Sequence, residues 1–178
     1  LVAHPFNPVY LLPLVELVGG RATAVAALDA AARFYTEIGM HPLRVRREVP
    51  GHLTDRLQEA LWREILHLVN DGIATTGELD DAIVYGPGLR WAIFGPHMTL
   101  HLGGGDGGMP HMLAQFKPAF EAWWQTMQTP SLSDAVCRQI IDGVTAEAKG
   151  RDIDALARER DALLVQLLEL VSRGRPAE

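Results

Sequence analysis

The sequence predicts a mainly α protein, with an all-helical domain over residues 50–178 and a short βαβ-like segment before it over residues 1–49. Three observations carry this. After Pro50-Gly51, apolar residues recur at three- and four-residue spacing, the period of an amphipathic helix. Before that point, Pro and Gly cut the chain into short apolar pieces around one Ala-rich stretch. The 178 residues are 48% hydrophobic and 21% charged, a balance that supports a packed core and excludes a disordered chain.

Leu1-Val2-Ala3-His4 reads as part of a strand. Pro5, Pro8 and Pro13, which lack an N–H, break the next stretch into irregular turns. Leu14 to Val18 is the second strand, closed by Gly19-Gly20. Thr23 opens an Ala-rich helix to about Glu37, with Gly39 as its stop. His41 to Val45 is a further short strand. Strand, helix and strand in succession belong to a parallel sheet, so the segment calls for partner strands beyond its own. With neither an initiator Met nor a signal peptide at Leu1, the chain is expected to be a fragment or to have its front missing.

Leu53, Leu57, Leu61, Ile65 and Leu68 form an apolar stripe that ends at Asn70-Asp71-Gly72. Thr75-Thr76-Gly77-Glu78 has capping-box spacing and opens a short helix to about Tyr85. Leu89 to Leu102 is expected to be one buried helix. Residues 109–127 give one or two helices, with Pro110 and Pro118 at first turns or breaks. Ser131 to Ala148 and Asp152 to Arg173 close the chain. Trp123-Trp124 and the leucines of the last helix exceed what a core this size needs, and a homodimer is expected to cover them.

Composition excludes several classes. Lys and Arg total 16 against 22 Asp and Glu, and a net charge of −6 argues against nucleic-acid binding. No apolar run reaches the roughly 18–20 residues of a membrane span. A single Cys137 allows no internal disulfide, which suits a reducing, cytoplasmic compartment.

The sharpest chemical signal is His4-Pro5-Phe6-Asn7-Pro8 followed by Leu14-Val15-Glu16. A His and a Glu on adjacent strands can face one another. The carboxylate then holds one imidazole tautomer, and the other nitrogen can take a proton near neutral pH. A surface His beside an edge-strand Glu is the plain alternative. Gly103 to Gly108 spells G-x-G-x-x-G, but a helical run precedes it and Asp106 sits where a phosphate would, so an interhelical loop is expected. His97, His101 and His111 lack a clear fourth ligand, and no metal site is expected from them. Arg90, Trp91 and Phe94 place a planar cation and two aromatics beside a Gly-rich turn. Such groups suit a carboxylate and a quaternary ammonium; a helix-start ion pair and core aromatics are the alternatives.

The His-Pro-Phe-Asn-Pro word, with Leu-Val-Glu ending twelve residues after the His, resembles the catalytic segment of the 3-hydroxyacyl-CoA dehydrogenase family. Gly39-Met40-His41-Pro42 and Gly51-His52-Leu53-Thr54-Asp55-Arg56-Leu57 are similar to the family's passage into its helical domain. The family usually has Asn before that Arg, where this chain has Asp55. The resemblance implies a helical dehydrogenase C-terminal domain after the tail of a Rossmann-type domain, with NAD as cofactor bound by residues of an absent N-terminal segment. It implies His4 as the base, Glu16 as its orienting group, and Asn7, Asp55, Arg90, Trp91 and Phe94 as substrate contacts. Ala60 to Glu64 and Gly88 to Trp91 point, within the family, to a small carnitine-like 3-hydroxy acid. A 3-hydroxyacyl-CoA, an L-gulonate-type substrate, and a helical dimerisation module without activity are the alternatives.

Overall fold

The structure, a computed structural model, describes residues 1–173. Contacts divide the chain into two compact units, one of Leu1–Leu61 and one from Trp62 onward.

The first unit holds a three-stranded sheet. Strand β1 (Val2–Pro5) pairs antiparallel with β2 (Leu14–Val18), and β2 pairs parallel with β3 (His41–Val45) across helix α1 (Val25–Glu37). The parallel pair and its crossover helix match the strand–helix–strand reading. β2 is central, and Val15, Glu16 and Leu17 have no exposed surface. Apolar neighbours of such a strand cost nothing to bury, whereas a carboxylate there must be hydrogen-bonded. β1 is an edge strand, and its prolines fall at its end and in the turn beyond, where no ladder hydrogen bond is lost. Thr23 does not begin α1: its hydroxyl accepts the Gly20 N–H at 3.0 Å and pins the preceding loop. Gly39 ends the helix with φ +83°, a left-handed conformation that glycine adopts without a Cβ clash.

Helix α2 (Thr54–Asn70) starts in the first unit and runs into the second. The second unit continues with α3 (Thr76–Val84), α4 (Pro87–Ile93), α5 (Pro96–Gly103), a 3-10 turn at Gly105–Gly107, α6 (Gly108–Trp124), α7 (Asp134–Ala148) and α8 (Ile153–Arg173). Leu66, Val69, Met112 and Val136 are its buried apolar residues. The buried face of α2 therefore centres on Leu66 and Val69, while Leu57 of the expected stripe is exposed.

Leu89 to Leu102 is a correction. The run folds as two short helices, and Leu89, Ile93 and Leu102 are exposed. Pro96 is the cause: it has no N–H to continue a ladder and disfavours helical backbone just before it. Gly95, directly before it, is accordingly extended (φ −60°, ψ 170°), and Pro96 becomes the first residue of α5. Residues 108–124 form one helix, with Pro118 inside it. No described residue of α8 is buried, and Ile153 and Leu167 of its stripe are exposed, in line with an apolar face broader than the core needs.

Thr75 caps α3 as its spacing predicts. Its hydroxyl accepts the Glu78 N–H, and the Glu78 carboxylate accepts the Thr75 N–H at 2.8 Å. The Thr75 N–H and the Thr75 hydroxyl, which both donate to the exposed Glu78 carboxylate, hold that carboxyl below its usual range. Further along α3, burial and the neighbouring Glu147 and Asp81 carboxylates push the Asp80 carboxyl up. Thr75→Ala removes the hydroxyl that accepts the Glu78 N–H and leaves the backbone N–H that donates to the Glu78 carboxylate. The expected cost is about 1 kcal/mol, and an unchanged urea midpoint would show that the cap contributes nothing.

Candidate active site

Glu16 is the middle residue of the middle strand and is fully buried. The β1–β2 register sets His4 directly opposite it. Residues paired across a ladder project from the same face, so the imidazole and the carboxylate meet: His4 Nδ1 lies 3.3 Å from Glu16 Oε2. The other oxygen, Oε1, accepts the Leu53 N–H at 2.9 Å and the Thr54 N–H at 3.1 Å. These are amides at the start of α2, where backbone N–H groups have no helical partner and the helix dipole favours an anion.

The electrostatics follow from that bonding. Burial pushes the Glu16 carboxyl up, but the Leu53 N–H, the His4 side chain and the Thr54 N–H together outweigh it and hold the group below its usual value. Glu16 is therefore ionised at neutral pH. Facing a carboxylate, neutral His4 carries its proton on Nδ1, which leaves the Nε2 lone pair as the acceptor.

Two further groups surround that nitrogen. Asp55 Oδ2, in the first turn of α2, lies 3.7 Å from His4 Nε2. The His52 ring stacks on His4 with centroids 4.3 Å apart and planes 10° from parallel. His52 has φ +50°, a left-handed conformation that costs a residue with a Cβ about 1–2 kcal/mol. Sequence reading gave His52 no role. The available signal was its place directly after Gly51, which is itself left-handed with φ +76°.

The remaining expected residues stand elsewhere. Asn7 is exposed in the turn after β1, at a cis Asn7–Pro8 bond. Arg90, Trp91 and Phe94 belong to the second unit, around α4. Arg90 and Phe94 line a cavity of about 340 Å³ with Ile93, Thr99, Leu102 and Gly103, and Arg90 supplies its charged group. Trp91 does not line it. Gly103 to Gly108 is an interhelical turn held by imidazoles: His101 Nδ1 accepts the Met109 N–H at 3.0 Å, and His111 Nδ1 lies 3.1 Å from the Gly104 carbonyl. Both histidines are thus occupied with backbone.

Residues 51–140 match the C-terminal domain of 3-hydroxyacyl-CoA dehydrogenase, and residues 1–49 match the NAD binding domain of the same enzymes. The chain belongs to the 3-hydroxyacyl-CoA dehydrogenase family. It is 54% identical over 175 residues to an L-carnitine dehydrogenase of a Pseudomonas species and 49% identical over 176 residues to one of Bacillus cereus. Those matches take in 98% and 99% of this chain but 54% of each relative, so the chain spans about half the length of the curated relatives it matches. The fold is shared with 5-formyl-3-hydroxy-2-methylpyridine 4-carboxylic acid 5-dehydrogenase, an NAD+ dependent dismutase (TM-score 0.77, 23% identity, 98% of this chain and 56% of that one). It is also shared with a 3-hydroxyacyl-CoA dehydrogenase of Archaeoglobus fulgidus (TM-score 0.59, 21% identity, 96% and 58%).

Glu16 also links the site to stability. Its pKa is lower folded than unfolded, so its contribution is complete above the ordinary Glu value of about 4.3 and disappears as pH falls through the folded value. Glu16→Gln is expected to cost roughly 1.5–3 kcal/mol at pH 7, the range for hydrogen bonds to a charged group. The gap between variant and parent in urea unfolding should close as pH drops below about 4. A gap that is constant from pH 7 to pH 3 would show that Glu16 is not ionised when folded.

Proposed function

We propose that the chain supplies the base and the substrate-holding groups of an NAD-dependent 3-hydroxy acid dehydrogenase that oxidises L-carnitine to 3-dehydrocarnitine. The observation that supports this most is the outward Nε2 of His4, whose other nitrogen is backed by ionised Glu16 and which Asp55 faces at 3.7 Å. His4 Nε2 takes the C3 hydroxyl proton while the C3–H bond breaks and the carbonyl forms. Glu16 stabilises the imidazolium produced. NAD, when bound, accepts the hydride leaving C3. The Gly103–Gly108 run lies between helices and offers no strand-to-helix turn for a pyrophosphate. We place the NAD phosphates outside the described residues, with 1–49 as the tail of a Rossmann-type domain and 50–178 as the helical substrate and dimer domain.

Asp55 favours this substrate over its relatives. In carnitine the trimethylammonium is one carbon from the carbinol carbon, so a carboxylate close to the base is within reach of that cation. A quaternary ammonium donates no hydrogen bond, and only anions and aromatic faces such as Trp91 and Phe94 favour it. Arg90 is the proposed fork for the substrate carboxylate. A 3-hydroxyacyl-CoA has no cation for Asp55 and no free carboxylate beside the reacting carbon, and an L-gulonate-type substrate lacks the cation. No described helix is long and apolar enough to cross a membrane. A cytoplasmic homodimer belongs to the same proposal, supported by exposed Leu163 and Leu170 on α8.

In a full-length enzyme containing this chain, His4→Ala should lower kcat by roughly 10²–10⁴-fold, the usual contribution of a general base. Activity within a few-fold of the parent would remove His4 as the base. Asp55→Asn should raise KM for L-carnitine selectively over uncharged 3-hydroxybutyrate. An unchanged ratio of the two KM values would show that Asp55 does not read the ammonium.

A further inference from the structure

One ring nitrogen from each of His4 and His52 and one carboxylate oxygen of Asp55 lie within 4.8 Å of one another, and all three residues are half-buried. We propose that these three side chains form a binding site for a divalent transition ion, best suited to Zn²⁺, which blocks His4 while it is bound.

The cluster has the composition and support of such a site. Two imidazoles and a carboxylate suit zinc, copper or nickel, whereas magnesium and calcium favour all-oxygen sets. Nδ1 of His4 is engaged by Glu16, so Nε2 is the nitrogen available to the ion. A ligating His is normally held in this way, by a carboxylate on its second nitrogen that fixes ring and tautomer. Glu16 is itself fastened by two backbone N–H groups, so that support is rigid. Three protein ligands leave one position of a tetrahedral ion open. The strained backbone of His52 is the second observation. The strain persists at a residue whose ring the proposed reaction does not use, and strain of this kind clusters at binding sites.

Coordination needs a small rearrangement. Zinc bonds of about 2.0–2.2 Å draw the three donor atoms closer together than they stand. Near-parallel rings cannot both aim a lone pair at one ion, so the His52 ring must turn out of its stack on His4. The ion then occupies the lone pair that would receive the substrate proton. The site stands on the geometry alone; its inhibitory effect rests on the proposed role of His4 as base.

Titration of Zn²⁺ into the 178-residue chain, followed by calorimetry, tests the site. One equivalent should bind, Mg²⁺ should not compete, and Co²⁺ in place of zinc should give the visible absorption of a tetrahedral site. His52→Gly suits the left-handed backbone while removing a ligand, and it should weaken binding tenfold or more, as should Asp55→Asn. His97→Ala, outside the cluster, should leave it unchanged. Absence of binding below millimolar zinc, or binding that both His52→Gly and Asp55→Asn leave intact, overturns the site. Zinc binding at the cluster in a protein whose His4→Ala variant keeps its turnover would uphold the site and remove only the base assignment.

Discussion

A buried carboxylate sets the terms for the first unit. Glu16 stands in the middle of the central strand with no exposed surface, where an unpaired charge would cost several kcal/mol. Donors from two other elements meet it: His4 from β1, and the Leu53 and Thr54 amides that begin α2. The pairing of β1 with β2, the entry of α2 and the orientation of the imidazole are therefore a single constraint.

The same bond prepares the chemistry. Holding Nδ1–H toward Glu16 turns the His4 lone pair outward, toward Asp55. A second carboxylate this close to a base is a costly neighbour for an anionic substrate and a favourable one for a cation. Unit charges 4 Å apart interact by roughly 4 kcal/mol at the effective dielectric near a protein surface, which is ample to select a cationic ligand. Asp55 is partly exposed, so water screens it until a substrate displaces that water. In the proposed enzyme, Asp55 is the group that would attract positive charge to this side of His4.

Local signals were legible in the sequence wherever a few neighbouring residues settle the outcome. Thr75 and Glu78 form their box, Gly39 ends α1, and strand, helix and strand give a parallel pair. His4 and Glu16 were readable because a two-strand register converts a separation of twelve residues into a facing pair. The break at Gly95-Pro96 was hidden by the apolar content around it, although Pro96 alone was enough to predict it. His52 was not readable, since its ring reaches His4 only through a left-handed turn and a strand far away in sequence. The exposed apolar residues of α8 agree with a stripe broader than the core needs.

The most direct test of the central constraint is the tautomer of His4, measured from imidazole nitrogen and carbon-bound proton correlations in ¹⁵N-labelled protein at pH 8. Ionised Glu16 at 3.3 Å from Nδ1 requires the proton on Nδ1 and an unprotonated Nε2. Glu16→Gln should weaken that preference. A proton found on Nε2 in the parent protein would contradict the buried carboxylate as the group that orients the base.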